Sequence, residues 1–257
     1  MLFRIRLQSN AVAGLRRSAL LLAGAFGLST CGPGHDADCL KSNGAVTTQR
    51  RAVDRRVRSV EVYDNVDLII VPDTATYAEV TAGENVIDEL TLTYRDPKTL
   101  LLNNTSTCNF VRSYNTPREV RLHTRRITNL EQRGYGTIST ASRWAQDTLF
   151  VHIIGAGDVK LDLTSTYLFT VMSELGDMTL SGTAEDFHPI MGGTGFLYAG
   201  GLQTRFCYFL ITPTCLGDAH VRATQNLGGT LNGKGTFYYA GNPSYIDVKG
   251  PGKLVKE

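Results

Sequence analysis

Gly157-Asp158-Val159-Lys160-Leu161 is followed, nineteen residues later, by Gly176-Asp177-Met178-Thr179-Leu180. The two stretches share one pattern, in which a glycine opens an alternation of polar and apolar residues. Working outward, the mark recurs at Gly134/Gly136, Gly193/Gly195, Gly217, Gly233/Gly235 and Gly250/Gly252. From Gly136 to Gly252 the intervals between successive marker glycines are 21, 19, 19, 22, 18 and 17 residues. A near-constant period of this length is the mark of stacked repeats, each burying its apolar face on its neighbours.

Aligned on the glycine, the second following residue is Ile138, Val159, Met178, Leu197, Ala219, Phe237 and Leu254, all apolar. The fourth is Thr140, Leu161, Leu180, Ala199, Val221, Tyr239 and Lys256, mostly apolar. The residues between are polar or amphipathic. Period-two alternation assigns one set to the inside of a strand and the other to its outer face. The fold expected is all-β, a parallel β-helix or β-solenoid, right-handed because parallel crossovers have that hand. The glycine is expected to turn each corner with φ > 0. The competing arrangement is a glycine-rich antiparallel sandwich.

The rest of the chain divides around this repeat. Residues 1–30 read as a signal peptide, with Arg4, Arg6, Arg16 and Arg17 before the apolar run Ser18 to Leu28. That run ends Leu28-Ser29-Thr30-Cys31, which resembles a bacterial lipobox, with Thr30 where a smaller residue is usual. Cys31 is therefore the expected lipidation site. Residues 31–56 read as a polar tether, and 57–257 as one solenoid domain, with less regular coils over 57–126 and glycine-marked coils over 127–257. Asn85 to Leu90 is expected to form a short helical turn. The formal charge of +2 falls to −2 once residues 1–30, with four Arg and no acid, are removed. Charge therefore gives no argument for nucleic acid. The run Arg50, Arg51, Arg55, Arg56 and Arg58 reads as a solvated face.

Four cysteines remain beside Cys31, and an even number in an exported chain points to disulfides. Three connectivities are open. Cys207 and Cys215 flank a segment inside the longest interval, as a stapled loop would, leaving Cys39 and Cys108 as the other pair. No zinc spacing, nucleophile elbow or phosphate loop occurs, and no cofactor is expected. Asp158, Asp177 and Asp218 share the column after the glycine. Stacked carboxylates are candidates for Ca²⁺ or for acid-base work on a polysaccharide, but Gly-Asp is also a turn dipeptide. Tyr198, His220 and Tyr238 share an outward column with Phe196 beside it, a candidate surface for a glycan or a surface protein.

Three stretches resemble the head GIN domain family of autotransporter-adhesin heads. They are Ser59-Val60-Glu61-Val62-Tyr63-Asp64-Asn65-Val66-Asp67-Leu68, Cys108-Asn109-Phe110-Val111-Arg112-Ser113-Tyr114, and Gly235-Thr236-Phe237-Tyr238-Tyr239-Ala240-Gly241-Asn242-Pro243-Ser244. The resemblance implies a β-helical fold, a place on the Gram-negative envelope and an adhesive role, and it brings no catalytic residues. The function expected is a non-enzymatic, lipid-anchored envelope protein of the outer membrane, facing periplasm or cell surface. A carbohydrate-active enzyme on the same scaffold and a purely structural envelope protein are the alternatives.

Overall fold

The computed structural model describes residues 42–106 and 116–257. The expected signal peptide, Cys31, Cys39 and Cys108 lie outside the described residues. Seventeen strands among the described residues join in one continuous sheet that coils on itself.

The glycine-marked coils stack in chain order. They run through β8 (Asn129–Gln132), β9 (Ile138–Thr140), β10 (Trp144–Ile153), β11 (Val159–Met172), β12 (Met178–Met191), β13 (Leu197–Ile211), β14 (Ala219–Leu231), β15 (Thr236–Ala240), β16 (Tyr245–Lys249) and β17 (Lys253–Lys256). Each pairs in parallel with its counterpart one coil on. The register is the one the glycine alignment predicts. Ile138, Val159, Met178, Leu197, Ala219, Phe237 and Leu254 are direct cross-strand partners in succession. All but Leu254, on the last coil, are buried. A second face carries its own buried column of Ile153, Met172, Met191, Ile211 and Leu231. Gln132 begins that column without breaking it. Its amide donates to the Gly136 carbonyl at 2.5 Å, and its oxygen accepts from the Gly134 N–H at 2.9 Å. A buried amide is tolerated when both ends are bonded.

The marker glycines are required for a reason other than the one expected. None from Gly136 to Gly235 has positive φ. Instead, the coils touch at this corner. A Cβ at Gly157, Gly176, Gly195, Gly217 or Gly235 would stand 1.9 to 2.1 Å from the carbonyl oxygen of the preceding coil's glycine. The column is one of backbone on backbone, with no room for a side chain.

The first part of the domain uses the same two faces in a different order. β2 (Ser59–Val62) and β3 (Asp67–Pro72) form one coil around the turn at Asp64, whose φ is +53°. β2 lies between β6 (Thr99–Asn104) and β8, and β3 between β7 (Glu119–Thr124) and β9, all in parallel. The earliest coil is thus sandwiched by two later ones. Beyond it the ladder turns antiparallel. β4 (Tyr77–Gly83) pairs with β7, β1 (Val46–Ala52) with β4, and β5 (Leu90–Asp96) with β6. The helical turn is a single 3-10 turn at Ile87–Glu89.

Two expectations are corrected here. The tether does not run to residue 56, because Val46–Ala52 is a strand along the edge of β4. Arg51 anchors it, its guanidinium donating to the carbonyls of Leu90 and of Ile87, the latter at 2.7 Å. Cys207 and Cys215 are not joined; both are free and buried. Cys207 points into the core between Phe187 and Leu227, whereas Cys215 sits in the following turn with Sγ 3.6 Å from the Gly217 carbonyl oxygen. About 13 Å of strand separates Cys207 from Ile211 before that turn begins, too far for a bridge. Burial pushes both thiols up in pKa, which suits structural rather than reactive sulfur.

Candidate functional site

The predicted aromatic column is assembled on the outer surface of one face. Tyr198, His220 and Tyr238 are register partners on β13, β14 and β15. Phe196 and Tyr198 stack at 6.2 Å between ring centroids, Tyr198 and His220 at 6.1 Å, and His220 and Tyr238 at 4.5 Å. The interplanar angles are only 12 to 20°. Phe196 is 38 % and Tyr198 44 % exposed. Tyr198, His220 and Tyr238 follow one another along the solenoid axis, and Phe196 lies beside Tyr198 at the start of the same coil. His220 Nδ1 is held by the Glu257 carboxylate at 2.8 Å.

The Asp column serves the backbone. An oxygen of Asp158 accepts the Asp177 N–H at 3.1 Å, one of Asp177 accepts that of Phe196 at 2.8 Å, and one of Asp218 accepts that of Thr236 at 2.6 Å. Each carboxylate thereby pins the start of the next coil. Asp67 does the same for Thr137 at 2.8 Å; sequence reasoning did not place it in this set because it lacks the preceding glycine. Among the described residues no three His, Cys, Asp or Glu side chains are grouped to hold a metal ion.

An open depression of about 1090 Å³ lies where the turns after β3 and β7 meet the start of β10 and the middle of β11 and β12. It mixes Arg125, Arg126 and Arg143 with Asp73, Asp147 and Glu185. Its acids are mostly engaged, Asp73 with His123 at 3.0 Å and Glu185 with Arg205 at 2.6 Å. Hydrogen bonds from the Ala75 amide and from His123 hold the Asp73 carboxyl below its usual range. Asp54 falls to about 2, chiefly through its bond to Arg56. The Lys98 amide lowers Asp96. Burial opposes the charge on Glu131, yet bonds from Asn129 and Arg133 outweigh it and lower this group too. An acid catalyst at neutral pH needs the opposite shift. The basic run is structural: Arg51 is tied down as above, Arg50 lies 3.7 Å over the Tyr77 ring, and Arg56 pairs with Asp54 at 2.7 Å.

A second aromatic surface was missed. On the outer side of the other face, Phe150, Phe169, His188 and Tyr208 occupy successive rungs of β10 to β13, flanked by Tyr167. These rings are tilted by 36 to 57° at 4.9 to 6.2 Å. Beside them, Val171, Ile190 and Leu210 form an aliphatic row. The signal was present, since the four rungs fall twelve to fourteen residues after the marker glycines. Tabulating the repeat past its first strand would have found it.

A coiled, glycine-cornered sheet of this kind belongs to the class of β-solenoid proteins. Comparison with known proteins places the chain more narrowly. The family model described as "Putative auto-transporter adhesin, head GIN domain" matches residues 58–243, and the chain belongs to that family. No curated protein matches it. Among solved structures, a "putative adhesin" from Bacteroides fragilis NCTC 9343 is 18% identical with a TM-score of 0.73, covering 84% of this chain and 100% of that one. A "putative lipid binding protein" from Parabacteroides distasonis ATCC 8503 is 19% identical with a TM-score of 0.60, over 84% and 100% of the two chains. A "putative adhesin" from Parabacteroides merdae ATCC 43184 is 20% identical with a TM-score of 0.56, over 85% and 98%. At these identities the likenesses show the fold alone.

Proposed function

We propose that this protein is a non-enzymatic, adhesin-like module of the cell envelope, held to the outer membrane by lipid on Cys31. Its solenoid presents the Phe196–Tyr198–His220–Tyr238 ladder to a glycan or a surface protein. The observation that carries this reading is the ladder itself, four stacked aromatic rings on three successive coils, with Phe196 and Tyr198 exposed and His220 and Tyr238 half-buried. Rings bearing hydroxyls and an imidazole suit a hydroxyl-rich ligand lying along the axis. Membership of an adhesin-head family agrees with this role, and the Asp158, Asp177 and Asp218 carboxylates are engaged with backbone N–H groups of the next coil.

The test is a glycan-array and cell-surface binding screen of the full chain beside a Tyr198→Ala/Tyr238→Ala variant. Partly exposed rings contribute little to folding, so the variant should melt near the parent while binding falls at least about tenfold. Binding that survives unchanged would move recognition to another surface. The anchor is tested separately. Cys31→Ser should abolish incorporation of a fatty-acid label and release the protein from membranes.

A further inference from the structure

The second aromatic surface has a middle and two ends of different character. Its seven rungs run from β8 through β10, β11, β12, β13 and β14 to β16. Between Phe150 and Leu210 the two central outward rows contain no Lys, Arg, Asp or Glu. Phe150 is 37 %, Tyr208 40 % and Leu210 41 % exposed. The β8 end carries Asn129 and Glu131, and the β16 end carries Asp247 and Lys249. From this arrangement we infer that the face docks on a second copy of the same chain, face to face and with the solenoid axes antiparallel.

The rungs match under a two-fold axis that runs along the strands through β12. Such an axis keeps each residue in its own row and exchanges rungs equally far from β12. Ile190 then faces Ile190 of the other copy. Val171 faces Leu210, and Phe169 faces Tyr208. Phe150 comes over Gly228, where the surface has no side chain. At the ends Glu131 meets Lys249, and Asn129 meets Asp247. Phe150 opposes a glycine, and at the two ends an acid opposes a base or an amide, as an isologous interface allows. A second register, centred on another rung, would set Glu131 against an uncharged residue. Seven rungs about 4.8 Å apart and two rows of side chains give roughly 450 Å² per partner, the size of a weak, transient interface. The association should be in the micromolar range. It stands independently of the ladder on the opposite face.

Sedimentation equilibrium of the full chain in mild detergent, from below one to about a hundred micromolar, measures it. A monomer–dimer equilibrium is expected, and Ile190→Asp and Leu210→Asp should each raise the dissociation constant about 30-fold or more. Both substituted side chains are outward, so thermal melting checks that the fold persists. Cysteine cross-linking fixes the register without a charge in the interface. Under mild oxidation Ile190→Cys should form a covalent dimer alone. Phe150→Cys should do so only when mixed with Gly228→Cys. A chain that stays monomeric throughout, a dimer indifferent to both aspartates, or self-linking of Phe150→Cys as efficient as that of Ile190→Cys would each overturn the inference. A monomer that instead bound neutral glycans or lipid vesicles through Ile190 and Leu210 would give the face to another occupant.

Discussion

Residues 127–257 and residues 42–126 fill the same two faces under different rules. In the later region each coil lies beside the one before it in sequence, and one glycine per turn lets backbones meet at the corner. In the earlier region the coil of β2 and β3 is inserted between strands made 40 or more residues later, and the end is closed by antiparallel strands. Yet both regions bury the same kind of interior. Val60 and Leu68 are as inaccessible as Val159 and Leu163. The contrast separates two properties that a repeat pattern merges. Inward alternation specifies the core, whereas sequence period specifies only which neighbours supply it. The antiparallel end finishes the ladder with the seven-residue edge strand β1, whose exposed residues are Val46, Thr48, Arg50 and Ala52.

The largest test of this comparison places a charge in each interior. Leu161→Asp and Val60→Asp should both unfold the domain or lower its stability by about 4 kcal/mol or more, since each strands a carboxylate between two coils. Chemical denaturation checks this. If Val60→Asp alone were tolerated, the early coil would not be seated between β6 and β8.

The next test concerns the corner. Gly195→Ala should cost about 3 kcal/mol, because a Cβ 2.1 Å from the Gly176 carbonyl oxygen forces two backbones apart. Gly200→Ala, with nothing within 4 Å of its new methyl, should be near neutral. Equal melting temperatures for the two variants would break the account of the period given above.

The smallest effect is electrostatic and belongs to the junction of the regions. The folded state holds the Glu131 carboxyl below its ordinary range. Its contribution is therefore present above about pH 4.3 and is lost as pH falls through the folded value. Glu131→Gln should lower stability modestly near neutral pH, change it little in strong acid, and so flatten the acid limb of the stability–pH curve. An unaltered acid limb would contradict that shift.

What could be read beforehand follows from these differences. The column from Ile138 to Leu254 was legible because one glycine column fixes register for every coil at once. So was the aromatic column of Tyr198, His220 and Tyr238, one position after the apolar column. The reason for the glycines was not, since close approach and positive φ favour the same residue and only coordinates separate them. Insertion of β2 and β3 leaves no periodic trace, because a parallel strand reads alike whichever neighbours flank it. The strand Val46–Ala52 was hidden by a composition of Thr, Gln and Arg that also suits a solvated linker. The expected Cys207–Cys215 staple failed because Cys207 lies well back along the strand β13 rather than at its end, and sequence spacing does not report where a strand stops.

The interleaving of β2 and β3 has a consequence for how the molecule comes into being. Later coils can zip on one at a time as the chain emerges from its amino end, each finding a finished template. The opening coil has no such template. Its strands can pair on one side with β6 and β7, but the other side stays open until residues near 140 arrive. Birth of this fold is thus delayed at its start and quick thereafter, with a window in which the nascent segment around Val60 to Ile70 is its most vulnerable part.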